Sequence, residues 1–116
     1  MPLYHRQAFG LPDIKLARIE GLVLSKHALE AVTRRRITTD LSTFDPTTCK
    51  VFELELRDFL PFKVAARRRY NYFLDVCFVV EIPTKLIKTV WLNENVDPHL
   101  TLDKSLYARP NQPLNH

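Results

Sequence analysis

The strongest constraint on the fold is a run of alternating apolar and polar residues that begins at residue 50. In the segment 50–57, Phe52, Leu54 and Leu56 alternate with charged residues, which is the pattern of a strand with one buried face. Three later segments also have the composition of strands, and the second of them is the most apolar, so we expect it at the centre of the sheet. These segments are residues 62–69, 73–82 and 85–93.

Short connections with turn-forming residues separate the four segments, at positions 58–61, 71 and 83–84. Strands joined by such short turns must be antiparallel neighbours, so the sequence predicts a four-stranded antiparallel meander. A simple hairpin register places Glu55 beside Lys63 and Arg67 beside Asp75. These are ordinary cross-strand charge pairs.

Helices are predicted before the sheet. The segment 13–20 has an aspartate at its start and Gly21 directly after its end, which predicts a short first helix. The apolar run 22–24 fits either a buried turn or a short strand. Ser25 is suited to be the N-cap of a second helix over residues 26–36. The apolar residues of that helix are expected to form its buried stripe, namely Ala28, Leu29, Ala31 and Val32.

The predicted architecture is therefore α+β, with one or two N-terminal helices packed on a four-stranded antiparallel meander. A length of 116 residues, of which 46% are hydrophobic, is enough for one core, so we expect a single domain over 1–116 with irregular tails at 1–12 and 108–116. No apolar run is long enough to cross a bilayer, and the start lacks an export signal. We expect a cytoplasmic protein without membrane insertion, in which Cys49 and Cys77 are reduced core residues.

Basic residues give the chain a formal charge of +4 and are concentrated in two arginine triplets, 34–36 and 67–69. Clustered arginine side chains can bind phosphate groups bidentately and attract a polyanion. The alternative is that the triplets are a solvated helix end and a solvated hairpin end. The predicted pair with Asp75 weakens the case for Arg67 as a phosphate ligand.

The residue pattern excludes some kinds of chemistry and leaves one set of candidates. With only two glycines and no helical histidine pair, the chain lacks a phosphate loop and a zinc motif, so we expect no cofactor and no metal. Metal-independent RNA cleavage needs a base, an acid and a cation for the phosphorane. His27 and His99 are the interior histidines, and Arg34 shares a helical face with His27. The alternative for each histidine is a packing, capping or solvated side chain.

A sequence resemblance points in the same direction. Residues 25–28, Ser-Lys-His-Ala, followed by Arg34, Arg35 and Ile37, resemble the "S-x-H-A … R-x-I" opening of small toxin-like bacterial and phage domains. Those domains look related to the RelE, barnase, EndoU and colicin-type metal-independent RNases. The resemblance implies helices before an antiparallel sheet, and it extends over about residues 22–107.

The resemblance also implies roles for individual residues. The segment 88–93 and the positions that follow it, including Thr101, look like the last strand and tail of such domains. His27 would be the general acid or base, with His99 as a phosphate ligand or partner catalyst. The substrate-binding residues would be Arg34, Arg35, Lys88, Thr89 and Thr101.

Two function classes remain open at this point, together with a structural one. The first is an endoribonuclease of toxin or phage-effector type that acts on tRNA or mRNA, with an acidic antitoxin as a partner. The second is a non-catalytic module that binds a host protein or RNA, for which the aromatic cluster at Tyr70, Tyr72 and Phe73 either stacks bases or closes the sheet. The third is a dimer formed through the last strand, which is apolar on both faces.

Overall fold

A computed structural model describes residues 15–97 of the chain and the backbone of residues 4–7. These residues form one α-helix, α1 (Lys26–Arg35), and eight strands. The strands are β1 (Tyr4–Gln7), β2 (Ile19–Glu20), β3 (Val23–Leu24), β4 (Thr43–Phe44), β5 (Lys50–Arg57), β6 (Leu60–Arg69), β7 (Leu74–Glu81) and β8 (Leu86–Glu94).

The main sheet has six strands in the order β1-β5-β6-β7-β8-β3, and only its β3–β8 pair is parallel among the strands described. The class is α+β, as predicted. The four predicted strands, β5 to β8, lie side by side in chain order, and β7 is an interior strand. The predicted number of four strands is nevertheless too low, because β1 and β3 extend the sheet at its two edges. Strand β1 falls within the region 1–12 that we expected to be irregular, whereas 108–116 lies outside the described residues.

The predicted first helix over 13–20 is wrong for the residues that the structure describes. Residues 15–18 have no regular structure, and Ile19–Glu20 is strand β2, paired with β4 in a separate two-stranded sheet. Ile19 lies opposite Phe44, which is fully buried. A long-range pairing therefore overrides the local helical preference. The run 22–24, for which a turn and a strand were both open, contains the short strand β3.

Helix α1 packs against β8 on one face of the main sheet, with Ser25 as its N-cap, as predicted. Ala28 and Ala31 are buried and Val32 is partly buried, but Leu29 is 53% exposed. The prediction that Leu29 belongs to the buried stripe is therefore wrong. Positions 28, 31 and 32 follow the i, i+3, i+4 spacing of one helical face, and position 29 lies about 100° around the helix from position 28.

The second face of the sheet also buries side chains, which simple alternation did not predict. A register shift between Val51 and Glu53 is a β-bulge in β5. Because of it, Phe52 is separated from Leu54 and Leu56, and it packs edge-to-face on Trp91 with ring centroids 6.2 Å apart. Beyond the bulge, Glu55 lies opposite Lys63, as predicted.

The two-residue turn between β5 and β6 is strained. Asp58 and Phe59 both have positive φ, 51° and 66°, as in the type I′ turns that favour Asn-Gly or Asp-Gly. We expect Phe59→Gly to raise the free energy of unfolding by about 1 kcal/mol, because the left-handed conformation costs a bulky residue that much and glycine nothing. Phe59 is 74% exposed, so little packing is lost.

Urea denaturation measures this change, and Phe73→Gly is the matched control. Phe73 is equally exposed but is not among the residues with positive φ. We expect the control to be neutral or destabilising. A Phe59→Gly variant no more stable than the parent chain would contradict the assignment of strain to this turn.

Candidate functional site

The N-terminus of α1 is held against β8 by one residue. The backbone N–H of Ser25 donates to the Ile87 carbonyl at 3.0 Å, and its hydroxyl donates to the Lys88 carbonyl at 3.2 Å. The same hydroxyl accepts the backbone N–H of Ala28 at 3.1 Å, which completes the N-cap. Ser25 therefore fixes the position of the first helical turn on the last strand of the meander.

This contact brings two of the predicted site residues together. His27 lies in the first turn of α1, and Lys88 lies on β8 beside Ser25; both are exposed. A register shift between Val79 and Val80 leaves Lys88 as an extra residue in β8. We call the surface formed by Ser25, His27 and Lys88 the helix-start site. It combines a histidine, a lysine and the free amides of a helix N-terminus, which together suit an anionic ligand.

Thr89 does not belong to the helix-start site. It lies opposite Val79, whose side chain belongs to the cluster on the second face of the sheet. Directly opposed residues of an antiparallel pair point to the same face, so Thr89 lies on the face away from α1. The extra residue at Lys88 causes this arrangement, because a shift of one residue reverses the faces of a strand.

Arg34 and Arg35 lie in the last turn of α1, about 10 Å along the helix axis from His27. The helix ends beside the β6–β7 hairpin, where the backbone N–H of Thr38 donates to the Tyr70 hydroxyl at 3.3 Å. Hydrogen bonds from Thr38, first its side chain and then its backbone, lower the pKa of Tyr70. The predicted substrate-binding arginines therefore lie at the opposite end of α1 from the predicted catalytic histidine.

His99 and Thr101 lie outside the described residues, so the spacing of the two histidines is not part of the structure. The chain is described as far as Asp97, which accepts a hydrogen bond from the Asn93 side chain at 2.9 Å and a second one from Arg67. Arg67 lies opposite Cys77, which lies opposite Trp91 of the second-face cluster, so Arg67 faces that side of the sheet. Asn93 is two residues beyond Trp91 on β8 and faces the same side. Asp97, where the described chain ends, is therefore held on the face opposite α1.

Arg67 is a structural residue, as its predicted pairing with Asp75 suggested. It is 4% exposed, and its Nε donates to the Asp75 carboxylate at 2.6 Å. Its terminal nitrogens donate to the carbonyls of Glu94 at 2.9 Å and of Asn95 at 3.4 Å, and to the Asp97 carbonyl. Arg67 thus holds the turn after β8 against the sheet.

A pocket of about 440 Å³ lies at the end of the sheet where the β6–β7 hairpin and the turn after β8 meet. We call it the hairpin-end pocket. Sequence reasoning identified its arginine triplet but missed Lys50 and the turn residues, which only the strand register brings together. Its lining consists of Thr48, Lys50, Arg67, Arg68, Arg69, Asp75, Asn95, Val96 and Asp97.

The two cysteines do not supply a nucleophile. Both are buried and free, as expected for core residues. Burial, as the largest cause, raises the pKa of the Cys77 thiol to about 12, so it is a neutral thiol near pH 7. Within the described residues, no group of three or more His, Cys, Asp or Glu side chains is arranged to hold a metal ion. Residues 15–97 also contain no helix that is long and apolar enough to span a membrane.

The described geometry thus contains two separate places where a ligand can bind, the helix-start site and the hairpin-end pocket. The helix-start site lies at the N-terminus of α1, and the hairpin-end pocket is a concave surface lined by more basic than acidic residues. Comparison of the chain with protein-family models, with curated proteins and with solved structures gives no match.

Proposed function

We propose that this domain acts on RNA as a metal-independent endoribonuclease of toxin or phage-effector type. In this proposal His27 is the general acid or base at the helix-start site, and Lys88 stabilises the negative charge that develops on the phosphorane. The proposal is supported by one observation, the pair of hydrogen bonds from Ser25 to the backbone of Ile87 and Lys88, which hold the first turn of α1 against β8.

A second function, RNA binding without cleavage, is favoured by a different observation. Cleavage needs two acid–base groups, and His27 is the one histidine in residues 15–97. The described chain ends at Asp97, which Asn93 holds on the face opposite α1. The exposed aromatic pair Tyr72 and Phe73 suits the stacking of bases, which requires no catalysis.

The two functions are separated by incubating the purified chain with RNA in excess EDTA. We expect cleavage that persists in EDTA and grows with time and enzyme concentration, because the proposed chemistry uses side chains and no metal. A chain purified in parallel with His27→Ala controls for contaminating nucleases. Salt-sensitive RNA binding without turnover would reject the first function and support the second.

An acidic antitoxin or a host protein remains a proposed partner under either function.

A further inference from the structure

The hairpin-end pocket carries an excess of positive charge. Four basic residues line it against two carboxylates, Asp75 and Asp97. Both carboxylates already have partners, because Asp75 binds Arg67 at 2.6 Å and Asp97 accepts the Asn93 side chain at 2.9 Å. Neither carboxylate has a hydrogen bond to Lys50 or Arg69, although Asp75 lies directly opposite Arg69 in the sheet.

Two of the four cations also have hydrogen-bond partners. Arg67 donates to Asp75 and to the turn after β8, as described above. Arg68 donates to the Thr39 hydroxyl at 2.9 Å and to the Asp40 carbonyl, which ties it to the loop after α1. Through these hydrogen bonds both guanidinium groups hold the walls of the pocket in place.

Lys50 and Arg69 are different. Both are exposed, and neither side chain has a hydrogen bond or an ion pair with any residue in the described part of the chain. Lys50 lies opposite Arg67 across the β5–β6 pair, so Arg69 is its diagonal neighbour on the same face, about 7–8 Å away between backbones. Two long cationic side chains at that separation can bind one phosphate group between them.

An exposed aromatic pair lies on the loop that Asn95 connects to the pocket. Tyr72 is 82% exposed and Phe73 is 74% exposed, and their rings meet edge-to-face with centroids 5.3 Å apart. Asn95, which lines the pocket, holds this loop through its side-chain nitrogen, 2.7 Å from the Tyr72 carbonyl, and its backbone N–H, 2.9 Å from the Phe73 carbonyl. An aromatic pair suited to base stacking thus lies on the same hairpin as Arg69 and is bonded to Asn95, a residue of the pocket lining.

We infer that the hairpin-end pocket binds a nucleoside phosphate, with the phosphate held by Lys50 and Arg69 and the base stacked on the Tyr72–Phe73 pair. The ligand is either a free nucleotide or a nucleotide of a single-stranded RNA, since both have this chemistry. The pocket lies at the other end of α1 from His27, so this inference does not rest on the proposed cleavage.

The test is a titration of isotope-labelled protein followed by NMR amide shifts. Uridine 5′-monophosphate should shift the amides of Lys50, Arg69, Tyr72 and Asn95, inorganic phosphate should bind more weakly at the same cations, and uridine should not bind. A 5′-phosphorylated tetra-uridylate that binds more tightly than the mononucleotide identifies RNA as the ligand. Equal affinity of the two identifies the free nucleotide.

Matched variants assign the contacts. We expect Lys50→Gln with Arg69→Gln to weaken nucleotide binding by about ten-fold or more, because two charge-assisted contacts are lost. Lys15→Gln with Lys85→Gln removes the same charge from exposed positions outside the pocket, and we expect less than about a two-fold change because exposed charges act weakly at a distance. Tyr72→Ala should weaken the nucleotide by about ten-fold but leave inorganic phosphate unaffected.

Two results would overturn the inference. One is a Lys50→Gln, Arg69→Gln variant that binds the nucleotide as tightly as the parent chain. The other is a titration in which the shifts are absent or appear only around His27 and Lys88. Shifts that appear only around His27 and Lys88 would reject the hairpin-end pocket but leave the proposed function standing. RNA that binds at the pocket without being cleaved would reject the proposed cleavage but leave the pocket standing.

Discussion

Replacing Arg67 with alanine should lower the free energy of unfolding by about 3–5 kcal/mol, which is the range for breaking a buried ion pair by removing one partner. Arg67 is 4% exposed, and its removal leaves Asp75 without its cation. It also leaves the carbonyls of Glu94 and Asp97 without the donor that holds the turn after β8. A buried acceptor that loses its donor costs about 1–3 kcal/mol.

Urea denaturation followed by circular dichroism measures this loss, and Arg69→Ala is the matched control. Arg69 is two residues away on the same strand and face but is exposed, so we expect a change within about 0.5 kcal/mol. Arg67→Lys keeps the charge without the planar fork and should cost less than Arg67→Ala, which keeps the series measurable if the alanine variant does not fold. A loss below about 1 kcal/mol for Arg67→Ala would contradict the structural role that we assign to it.

The contrast between Arg67 and Arg69 shows what the sequence was able to predict about this triplet. Alternation along β6 placed positions 67 and 69 on one face, and a simple hairpin register paired Arg67 with Asp75. The ion pair is confirmed, although Arg67 lies opposite Cys77 in the sheet and reaches Asp75 diagonally. The carbonyls of the turn after β8 are 27 or more residues away, and no local pattern indicates them.

Elements with a local signal were predicted well. Strand β5 spans the predicted residues, and β6 to β8 differ from the prediction by one or two residues, because alternation and short turns are properties of neighbouring positions. The cap at Ser25 is likewise local. Strand β3, by contrast, has two residues and is defined only by its parallel pairing with β8, so no periodicity was available to predict it.

The bulges explain most of the errors in side-chain placement. One extra residue near Phe52 separates that ring from Leu54 and Leu56, and another at Lys88 leaves Thr89 facing away from α1. A bulge depends on how two strands fit together rather than on the composition of either one. The sequence therefore anticipated that the start of α1, with His27, lies against β8, but it did not indicate which side chains around it share a face, and the role of this place as a site stays a prediction.

We expect His27→Ala to reduce RNA cleavage by about 10²–10⁴-fold, the usual contribution of a general acid or base. Lys26→Ala is the matched control, because it changes the neighbouring exposed residue in the same helical turn. If His27 acts chemically, the control should retain most of the activity. Ser25→Ala should cost about 1 kcal/mol of stability through the lost cap and reduce cleavage less than His27→Ala does.

His99→Ala tests whether the second acid–base group comes from the tail. All of these variants are compared by their initial rates on one RNA substrate in EDTA. A loss similar to that of His27→Ala would identify His99 as the partner. It would also require the chain beyond Asp97 to return to the face on which α1 packs, since Asp97 itself is held by Arg67 and Asn93 on the other face. Full activity in both histidine variants would reject catalysis at the helix-start site, and the hairpin-end pocket would then be the remaining candidate for a contact with RNA.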